Sequence, residues 1–421
     1  MQYCKTYKSG LRLVAYKMPS LFTVSFGVYV NVGSIREDES TNGYAHFIEH
    51  MQFKGTKRFN AAQISEVMDD IGANMNAFTA TDGTCYYTKS ASSDLEKCVD
   101  LLSDMYFNSV FDETELEREK KVVIEEIQMG NDSPDDVCTN LIFEACYNGQ
   151  KLGQTIIGPA RNIEYCDRHS ILNFKKKYYT ASNTVISVAG NFDEDNLDKL
   201  IEKYFEPYFD NNTDSVEEEE KSVHTSLFLH KFKDIEQSHV ELAFDSVALL
   251  PETDRTVSGL MNNILGGGLS SRLFQTIREK HGLAYSVGSS QSIYKNSGFL
   301  SIYCATNPKK LNKLYQLLQE ELQKFVDEGV TEKELARSKA QLINGLYMSM
   351  EDSMAIMRSF GRYLIKTNKM LDIKNRVDTF ASATVEDVNA MIRRVFGSSP
   401  ASCYVGKEVE GFDLISKISI K

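Results

Sequence analysis

The sequence predicts an α+β fold built from two duplicated domains, and three observations support this prediction. At 421 residues the chain is too long for one ordinary hydrophobic core. A polar, acidic stretch with few large apolar residues, Phe209–Ser222, interrupts it near the middle. A segment of the second half, Val330–Gly345, aligns without gaps with Phe111–Glu126 of the first half. We therefore predict a first domain over residues 1–210, an exposed acidic linker over 211–222 and a second domain over 223–421.

The first half opens with strand, helix and strand patterns in that order. Phe22–Gly33 alternates apolar and polar residues, as a half-buried strand does. A helix follows, because Asn60 and Gln63 have capping-box spacing before an apolar stripe and Gly72 can end it. Ala73–Ser90 then returns to strand character.

Two further helices are predicted from the same capping pattern. Ser93 with Glu96, and Asp112 with Glu115, each precede residues at helical apolar spacing. The second half repeats this order of elements, so the two aligned segments are predicted to be equivalent helices of a duplicated unit.

Composition restricts the class of protein. A formal net charge of −12 at pH 7 argues against general nucleic-acid binding, which needs a basic face. The eight cysteines are scattered without C-x-x-C spacing, so we expect reduced thiols in a reducing compartment. No secretory signal opens the sequence, and no run approaches the roughly 18 apolar residues of a membrane span. We expect a cytoplasmic protein that binds neither nucleic acid nor membrane.

The stretch YAHFIEHMQFKGT, Tyr44–Thr56, places His46, Glu49 and His50 at positions i, i+3 and i+4. On a helix all three side chains project from one face. Two imidazoles four residues apart can bind one Zn²⁺, and Glu49 can accept a proton from a water that the metal acidifies. The alternative is an amphipathic helix with two structural histidines. The order H-x-x-E-H favours the metal site.

A catalytic zinc site normally has three protein ligands, and the segment ELEREKKVVIEEIQ can supply the third. Glu119 and Glu126 are seven residues apart, so on a helix they share a face. Carboxylates on a face that also carries apolar residues are costly unless they are paired or metal-bound. Spacing leaves open which of the two binds the metal, and the other would steady a ligand histidine. The aligned residues of the second half, Ser338 and Gly345, cannot coordinate a metal.

Several stretches resemble the inverzincins, the pitrilysin and mitochondrial processing peptidase family of zinc metallopeptidases. They are HFIEHMQFKGT with a carboxylate pair about 75 residues later, SGLRLVAYKMP, IGANMNAFTATDGTCYY, and LGGGLSSRLFQTIREKHGLAYSV. Nearly the whole chain fits, and its length is similar to that of the bacterial processing-peptidase-like branch. The resemblance implies two domains, each a mostly antiparallel sheet packed with helices, that enclose a cleft.

The resemblance also implies a role for each residue of the predicted metal site. His46, His50 and Glu126 would be the ligands of one Zn²⁺ per chain, Glu49 the general base, and Glu119 the carboxylate that steadies a ligand. The choice that spacing left open is made here by the resemblance alone.

Two other groups of residues receive roles only from the resemblance. Asn76, Ala77 and Phe78 would lie on an edge strand to which an extended substrate adds as a further strand. Arg278 and Tyr285 would reach the substrate and stabilise the oxyanion. Without the resemblance, the first group is an ordinary strand segment, and the second is a surface arginine and a strand tyrosine.

The sequence therefore predicts a zinc-dependent endopeptidase that cleaves extended or unfolded peptides and assembles as a homodimer. Two alternatives stay open: a non-catalytic or partner-dependent subunit that acts as a scaffold, and a metal-binding protein of another function. The intact set of metal-site residues argues against the scaffold. His281 and the pair Asp82–Gly83 depart from the family pattern, which leaves the substrate preference open.

Overall fold

The computed structural model describes residues 2–209 and 218–421. These form two compact units that are not contiguous in sequence. The first unit comprises Met1–Ile127, Thr155–Glu218 and Tyr347–Leu371, and the second comprises Gln128–Gln154, Glu219–Leu346 and Asp372–Lys421.

The first half of the chain consists of groups of strands and groups of helices that follow one another. In chain order the elements are β1 Gln2–Thr6, β2 Arg12–Lys17, β3 Thr23–Val30, α1 Tyr44–Gln52, α2 Ala61–Ile71, β4 Asn74–Ala80, β5 Gly83–Ala91, α3 Leu95–Asn108, α4 Glu113–Asp132, α5 Pro134–Cys146, α6 Ala160–Tyr165, α7 Arg168–Tyr178, β6 Thr184–Gly190 and α8 Glu194–Tyr204.

The second half also consists of groups of strands and groups of helices. Its elements are β7 Phe228–Phe232, β8 Ser238–Asp245, α9 Glu252–Leu265, a π-helical segment Phe274–Lys280, β9 Ala284–Ile293, β10 Gly298–Thr306, α10 Leu311–Glu328, α11 Glu332–Ser349, α12 Ser353–Thr367, α13 Ile373–Ser382, α14 Val385–Phe396 and β11 Ala401–Gly406. No helix of the described residues is long and apolar enough to cross a bilayer.

Each unit contains one mixed sheet, and the two sheets share a topology. The first has the order β1-β2-β6-β3-β5-β4 and the second the order β7-β11-β8-β10-β9. Each sheet has one parallel pair, β2 with β6 in the first sheet and β7 with β11 in the second. From that pair to the last strand in each order, all neighbouring strands are antiparallel. The predicted α+β class, with two duplicated, mostly antiparallel sheets, is confirmed.

The aligned segments of the two halves are equivalent helices. α4 begins at Glu113 and α11 begins at Glu332, and these two positions are aligned in the sequence repeat. Asp112 and Thr331 cap the two helices through bonds from the backbone N–H groups of Glu115 (3.2 Å) and Glu334 (3.2 Å).

The capping box predicted for α2 is correct, and the one predicted for α3 is wrong. α2 has the predicted capping box of Asn60 and Gln63, and Gly72 ends it with φ of 65°. The predicted box of Ser93 and Glu96 is wrong, because a short 3₁₀ turn makes Asp94 the residue before α3. The Ser93 hydroxyl donates to the Asp94 carboxylate instead of capping the helix.

Strand β3 is buried on both faces, although its alternating pattern predicts a half-buried strand. The reason is α12, which comes from the second half of the chain and packs on β3 and β6. Small residues allow this close approach, since a Cβ at Gly27 would collide with Met357 Sδ. The hydroxyl groups of Ser25 and Ser353 form a hydrogen bond of 2.9 Å. The Ser187 hydroxyl donates a hydrogen bond to the Met357 carbonyl at 2.7 Å.

The second sheet is covered in the corresponding way by a helix of the first half. α5 packs on β8 and β11, and the opposite face of β8 contributes Val240, Leu242 and Phe244 to the apolar core. Each unit therefore takes one segment, residues 128–154 or 347–371, from the other half of the sequence.

This exchange makes the compact units differ from the predicted boundaries at residues 210 and 223. Within the predicted linker, residues 211–217 lie outside the described residues. Glu219 is buried, and its carbonyl accepts a bond from Asn296 Nδ2 at 2.6 Å, so this end of the acidic run belongs to the second unit.

Candidate metal centre

Helix α1 carries His46, Glu49 and His50 on its polar side. Its other side consists of buried apolar residues, which fix the rotation of the helix against the first core: Ala45, Phe47, Ile48 and Met51. The helix lacks a side-chain cap at Gly43, which has φ of 104°. The buried carboxylate of Glu37 takes this role by accepting bonds from the N–H groups of Gly43 (2.8 Å) and Ala45 (2.6 Å).

Helix α4 brings Glu126 to the two histidines. Glu126 Oε1 lies 3.8 Å from His46 Nε2, and Glu126 Oε2 lies 3.5 Å from His50 Nε2. One ligand atom from each of the three residues lies within 4.8 Å of the other two. The structure therefore brings together the three residues that the resemblance names as metal ligands.

The donor set fits a zinc ion. Ligands at about 2.0–2.1 Å from a tetrahedral ion are about 3.3–3.4 Å apart, and each histidine Nε2 lies within about half an ångström of that distance from a Glu126 oxygen. Burial, and then the neighbouring His50, lower the pKa of His46 to about 4, which keeps this imidazole neutral near pH 7. A neutral imidazole and a carboxylate are ligands that zinc accepts.

Glu119 orients His50 instead of joining the ligand atoms. His50 Nδ1 donates to Glu119 Oε1 at 2.9 Å, and this bond leaves Nε2 free to face Glu126. Lys54 Nζ lies 2.6 Å from the other oxygen, Glu119 Oε2. Burial acts to raise the pKa of Glu119, but the bonds from His50 and Lys54 outweigh it and lower that pKa. Glu119 therefore remains ionised.

Glu49 stands next to His50 and is held by a strand residue. The Thr79 hydroxyl of β4 donates to Glu49 Oε2 at 2.5 Å. Burial raises the pKa of Glu49, although the bond from Thr79 and the charge of His50 act in the opposite direction. A carboxylate with a raised pKa is a stronger proton acceptor than an exposed glutamate.

The predicted substrate strand is the last strand of the first sheet. Asn76, Ala77 and Phe78 lie on β4, which pairs only with β5 in the described sheet. Asn76 Oδ1 accepts the N–H of Ala77 at 2.8 Å. The strand therefore has the free edge that peptide addition requires, with one N–H held by a neighbouring side chain.

Arg278 and Tyr285 lie together in the second unit. The Arg278 guanidinium stacks 4.9 Å from the ring centroids of both Tyr285 and Phe274. The Tyr285 side chain is 78% exposed. Arg278, Tyr285 and Lys310 line a cavity of about 340 Å³. His281, which departs from the family pattern, donates to the Thr276 carbonyl at 2.8 Å.

The second half has no equivalent of the two carboxylates. Ser338, aligned with Glu119, is buried, donates to the Leu260 carbonyl at 3.2 Å and accepts a bond from Asn263 at 3.1 Å. Gly345, aligned with Glu126, has no side chain. That the ligands of this site come from the first half alone stays a prediction.

Sequence reasoning missed three residues that support the site: Glu37, Lys54 and Thr79. Lys54 lies four residues after His50, which was a usable signal, but α1 ends at Gln52. Thr79 is two residues after Ala77 and therefore on the same face of β4, but only the packing of β4 on α1 gives it a partner. Glu37 lies in a loop, and no spacing rule connects it to the start of α1.

Two family models match the chain. The model described as insulinase, peptidase family M16, matches residues 13–160, and the model described as peptidase M16 inactive domain matches residues 165–342.

Bacterial relatives match over nearly the full length. Zinc protease YmxG of Bacillus subtilis is 38% identical over 391 residues, which cover 93% of this chain and 95% of the relative. A zinc protease of Rickettsia felis is 34% identical over 413 residues, which cover 96% and 98%. The names of both relatives describe them as uncharacterized.

Two solved structures share the fold. A protease from Helicobacter pylori superposes with a TM-score of 0.88 at 23% identity, covering 96% of this chain and 99% of that one. A peptidase M16 inactive domain from Pseudomonas fluorescens superposes with a TM-score of 0.90 at 19% identity, covering 97% and 98%.

Proposed function

This chain belongs to the insulinase family, peptidase family M16, and from that membership we propose that it is a zinc-dependent endopeptidase acting on extended or unfolded peptides. The observation that carries the proposal is the convergence of His46, His50 and Glu126 beside Glu49. The relatives are named zinc proteases, which supports zinc as the metal.

A bound Zn²⁺ would lower the pKa of a water molecule and polarise the scissile carbonyl. Glu49 would take the proton of that water and later deliver it to the leaving amine. Thr79 holds one carboxylate oxygen of Glu49, which limits its rotamers. Glu119 would keep His50 in the tautomer that coordinates through Nε2.

The free edge of β4 supports the choice of an extended substrate. A peptide that adds to this edge would form main-chain bonds of the kind used in β-augmentation, and a folded protein cannot offer such a segment without opening. The oxyanion role of Arg278 and Tyr285 remains a prediction from the family resemblance.

A quenched-fluorescence assay with unstructured peptides tests the proposal. We expect cleavage by the zinc-loaded protein, loss of cleavage with a chelator, and recovery with added Zn²⁺. Glu49→Gln should retain zinc and lose about 10²–10⁴-fold in kcat, as expected for a lost general base.

Neighbouring glutamates on α4 provide a matched pair of variants. Glu126→Gln should lose activity and the zinc bound at this site, whereas Glu125→Gln, an adjacent and exposed residue, should lose neither. If zinc is bound at His46, His50 and Glu126 and the protein cleaves no unstructured peptide, the scaffold alternative replaces the peptidase.

We also propose that the protein is a cytoplasmic homodimer. All eight cysteines are free thiols, which supports a reducing compartment. Light scattering tests the assembly, and a monomer at working concentrations would contradict it.

A further inference from the structure

The second unit contains another cluster of metal-binding side chains, which shares no residue with the site on α1 and α4. Cys138 of α5, Glu241 of β8 and Cys403 of β11 place one ligand atom each within 4.8 Å of the other two. Both cysteines are 0% exposed, and Glu241 is 7% exposed. The cluster is enclosed between the helix and the face of the sheet that it covers.

The register of the sheet explains the convergence. Cys403 is the direct antiparallel partner of Glu241, so the two side chains project from the same face. Cys138 reaches this face from α5, and its Sγ lies 3.4 Å from Cys403 Sγ.

This separation is closer to metal coordination than to a disulfide. Two thiolates at about 2.3 Å from a tetrahedral Zn²⁺ are about 3.8 Å apart, so they would move apart by a few tenths of an ångström. A disulfide would require the same atoms to approach to about 2.05 Å, more than one ångström closer.

A buried carboxyl group beside two thiols also has a chemical reason to bind a cation. A buried glutamate is costly unless it is neutral, paired or bound to a metal. Thiolates are the donors that thiophilic cations select, and zinc also accepts a carboxylate oxygen.

We propose that Cys138, Cys403 and Glu241 form a structural site for a thiophilic divalent cation, with zinc as the physiological ion. Binding would release the two thiol protons, together with any proton on the Glu241 carboxyl group, to solvent and leave two thiolates and a carboxylate around the cation. The three side chains would supply three of the four donors of a tetrahedral ion.

The site would join parts of the chain that are distant in sequence. Cys138 lies on the segment that the first half contributes to the second unit, whereas Glu241 and Cys403 lie on two strands of the second sheet. A bound cation would therefore fasten α5 to the sheet and stabilise the native chain by mass action.

Cadmium titration tests the proposal, because cadmium thiolates absorb in the ultraviolet and carboxylate or imidazole sites do not give this band. The full-length protein is stripped with a chelator under reducing conditions and titrated with Cd²⁺, and bound metal is counted after gel filtration. We expect two Cd²⁺ per chain and a thiolate band. One Cd²⁺ without the band would overturn the proposal.

Variants separate the two sites. His50→Ala should bind one Cd²⁺, retain the band and gain thermal stability from the metal. Cys138→Ser with Cys403→Ser should bind one Cd²⁺ without the band, and Cys98→Ser, a buried cysteine outside the cluster, should behave as the native protein. A band that persists in the double serine variant contradicts the proposal.

Two measurements keep the test decisive if the double variant fails to fold. Glu241→Gln should retain the band with a lower affinity for Cd²⁺, because both thiols remain. The second measurement counts free thiols in the unsubstituted protein after denaturation. A count two below the eight cysteines of the sequence would reveal a disulfide and overturn the metal site.

Discussion

His50 Nδ1 donates to Glu119 Oε1 over 2.9 Å, and Lys54 holds the other oxygen of the same carboxylate at 2.6 Å. The imidazole that faces Glu126 is thereby fixed in one orientation and one tautomer. Groups that orient metal ligands in this way typically change metal affinity by about 10–100-fold when they are lost.

The first prediction concerns Glu119. Glu119→Gln should weaken zinc binding by about 10–100-fold, because the amide keeps the shape of the side chain but loses the charge that stabilises the Nδ1–H tautomer. Competition with a chromophoric chelator measures this affinity. The exposed Glu113→Gln on the same helix is the control, and equal affinities for the two variants would contradict the role of Glu119.

The second prediction concerns Thr79. Thr79→Val removes the hydroxyl that donates to Glu49 Oε2, so Glu49 should sample unproductive rotamers and kcat should fall by roughly ten-fold with KM and zinc content unchanged. Thr79→Ser retains the hydroxyl and should remain close to native. A loss of zinc in the valine variant would show that Thr79 acts on the fold instead.

The contrast between Glu126 and Thr79 shows how much of the site could be predicted from sequence. His46, Glu49 and His50 are set by helical spacing, and family resemblance selects Glu126 over Glu119. Thr79 has no local pattern, because its partner is determined only when β4 packs on α1. Local sequence rules predict which side chains share one face of a helix or strand. They do not predict which side chains of a second element will contact that face.

The fold, like the site, has local features that the sequence predicts and long-range features that it does not. The capping box of α2 is local, and it was predicted correctly. The burial of β3 on both faces depends on α12, and the alternating pattern of β3 does not reveal that a distant helix covers its second face. The linker composition likewise indicates two halves but contains no sign that they exchange segments.

The third prediction is a pH dependence of stability in the second unit. Burial acts to raise the pKa of Glu334, but bonds from Arg272 and Thr331 outweigh it and lower the pKa to about 2. The unfolded value is about 4.3. This depressed pKa contributes stability that is fully present above about pH 4.3 and is lost as the pH falls through about 2.

Glu334→Gln should therefore destabilise the protein by about 2 kcal/mol at pH 7, a figure reduced because a quarter of the side chain is exposed. The difference from the native protein should shrink as the pH falls below about 4.3. Chemical unfolding of both proteins across this range provides the measurement, with the exposed Glu332→Gln as control. A difference in unfolding free energy that stays constant with pH would contradict the proposed role of the Glu334–Arg272 ion pair.

The fourth prediction concerns a buried ion pair in the first unit. Asp82 and Lys366 are 3.6 Å apart with side chains only 6% and 2% exposed, and they connect the β4–β5 turn to α12. Asp82→Asn should destabilise the protein by about 3–5 kcal/mol, because it removes the carboxylate charge that lies beside a buried ammonium group.

A double-mutant cycle tests this coupling. Lys366→Met should cost a similar amount, and the double variant should cost less than the sum of the two single changes, because the attraction between the two charges is lost only once. Arg362→Met is the control, since this partner of Asp82 is 53% exposed and should contribute less than about 1 kcal/mol. Additive effects of Asp82 and Lys366 would refute the coupling.

The fifth prediction follows from the exchanged segment Tyr347–Leu371. A fragment of residues 1–209 ends before the segment that carries α12, so the outer face of β3 and β6 is uncovered and Asp82 loses both cationic partners. We expect this fragment to lack a cooperative thermal transition. Joining residues 347–371 to its end through a flexible linker should restore the transition, whereas a scrambled copy of that segment should not. A fragment that melts cooperatively without the segment would show that α12 is not needed to complete the first unit.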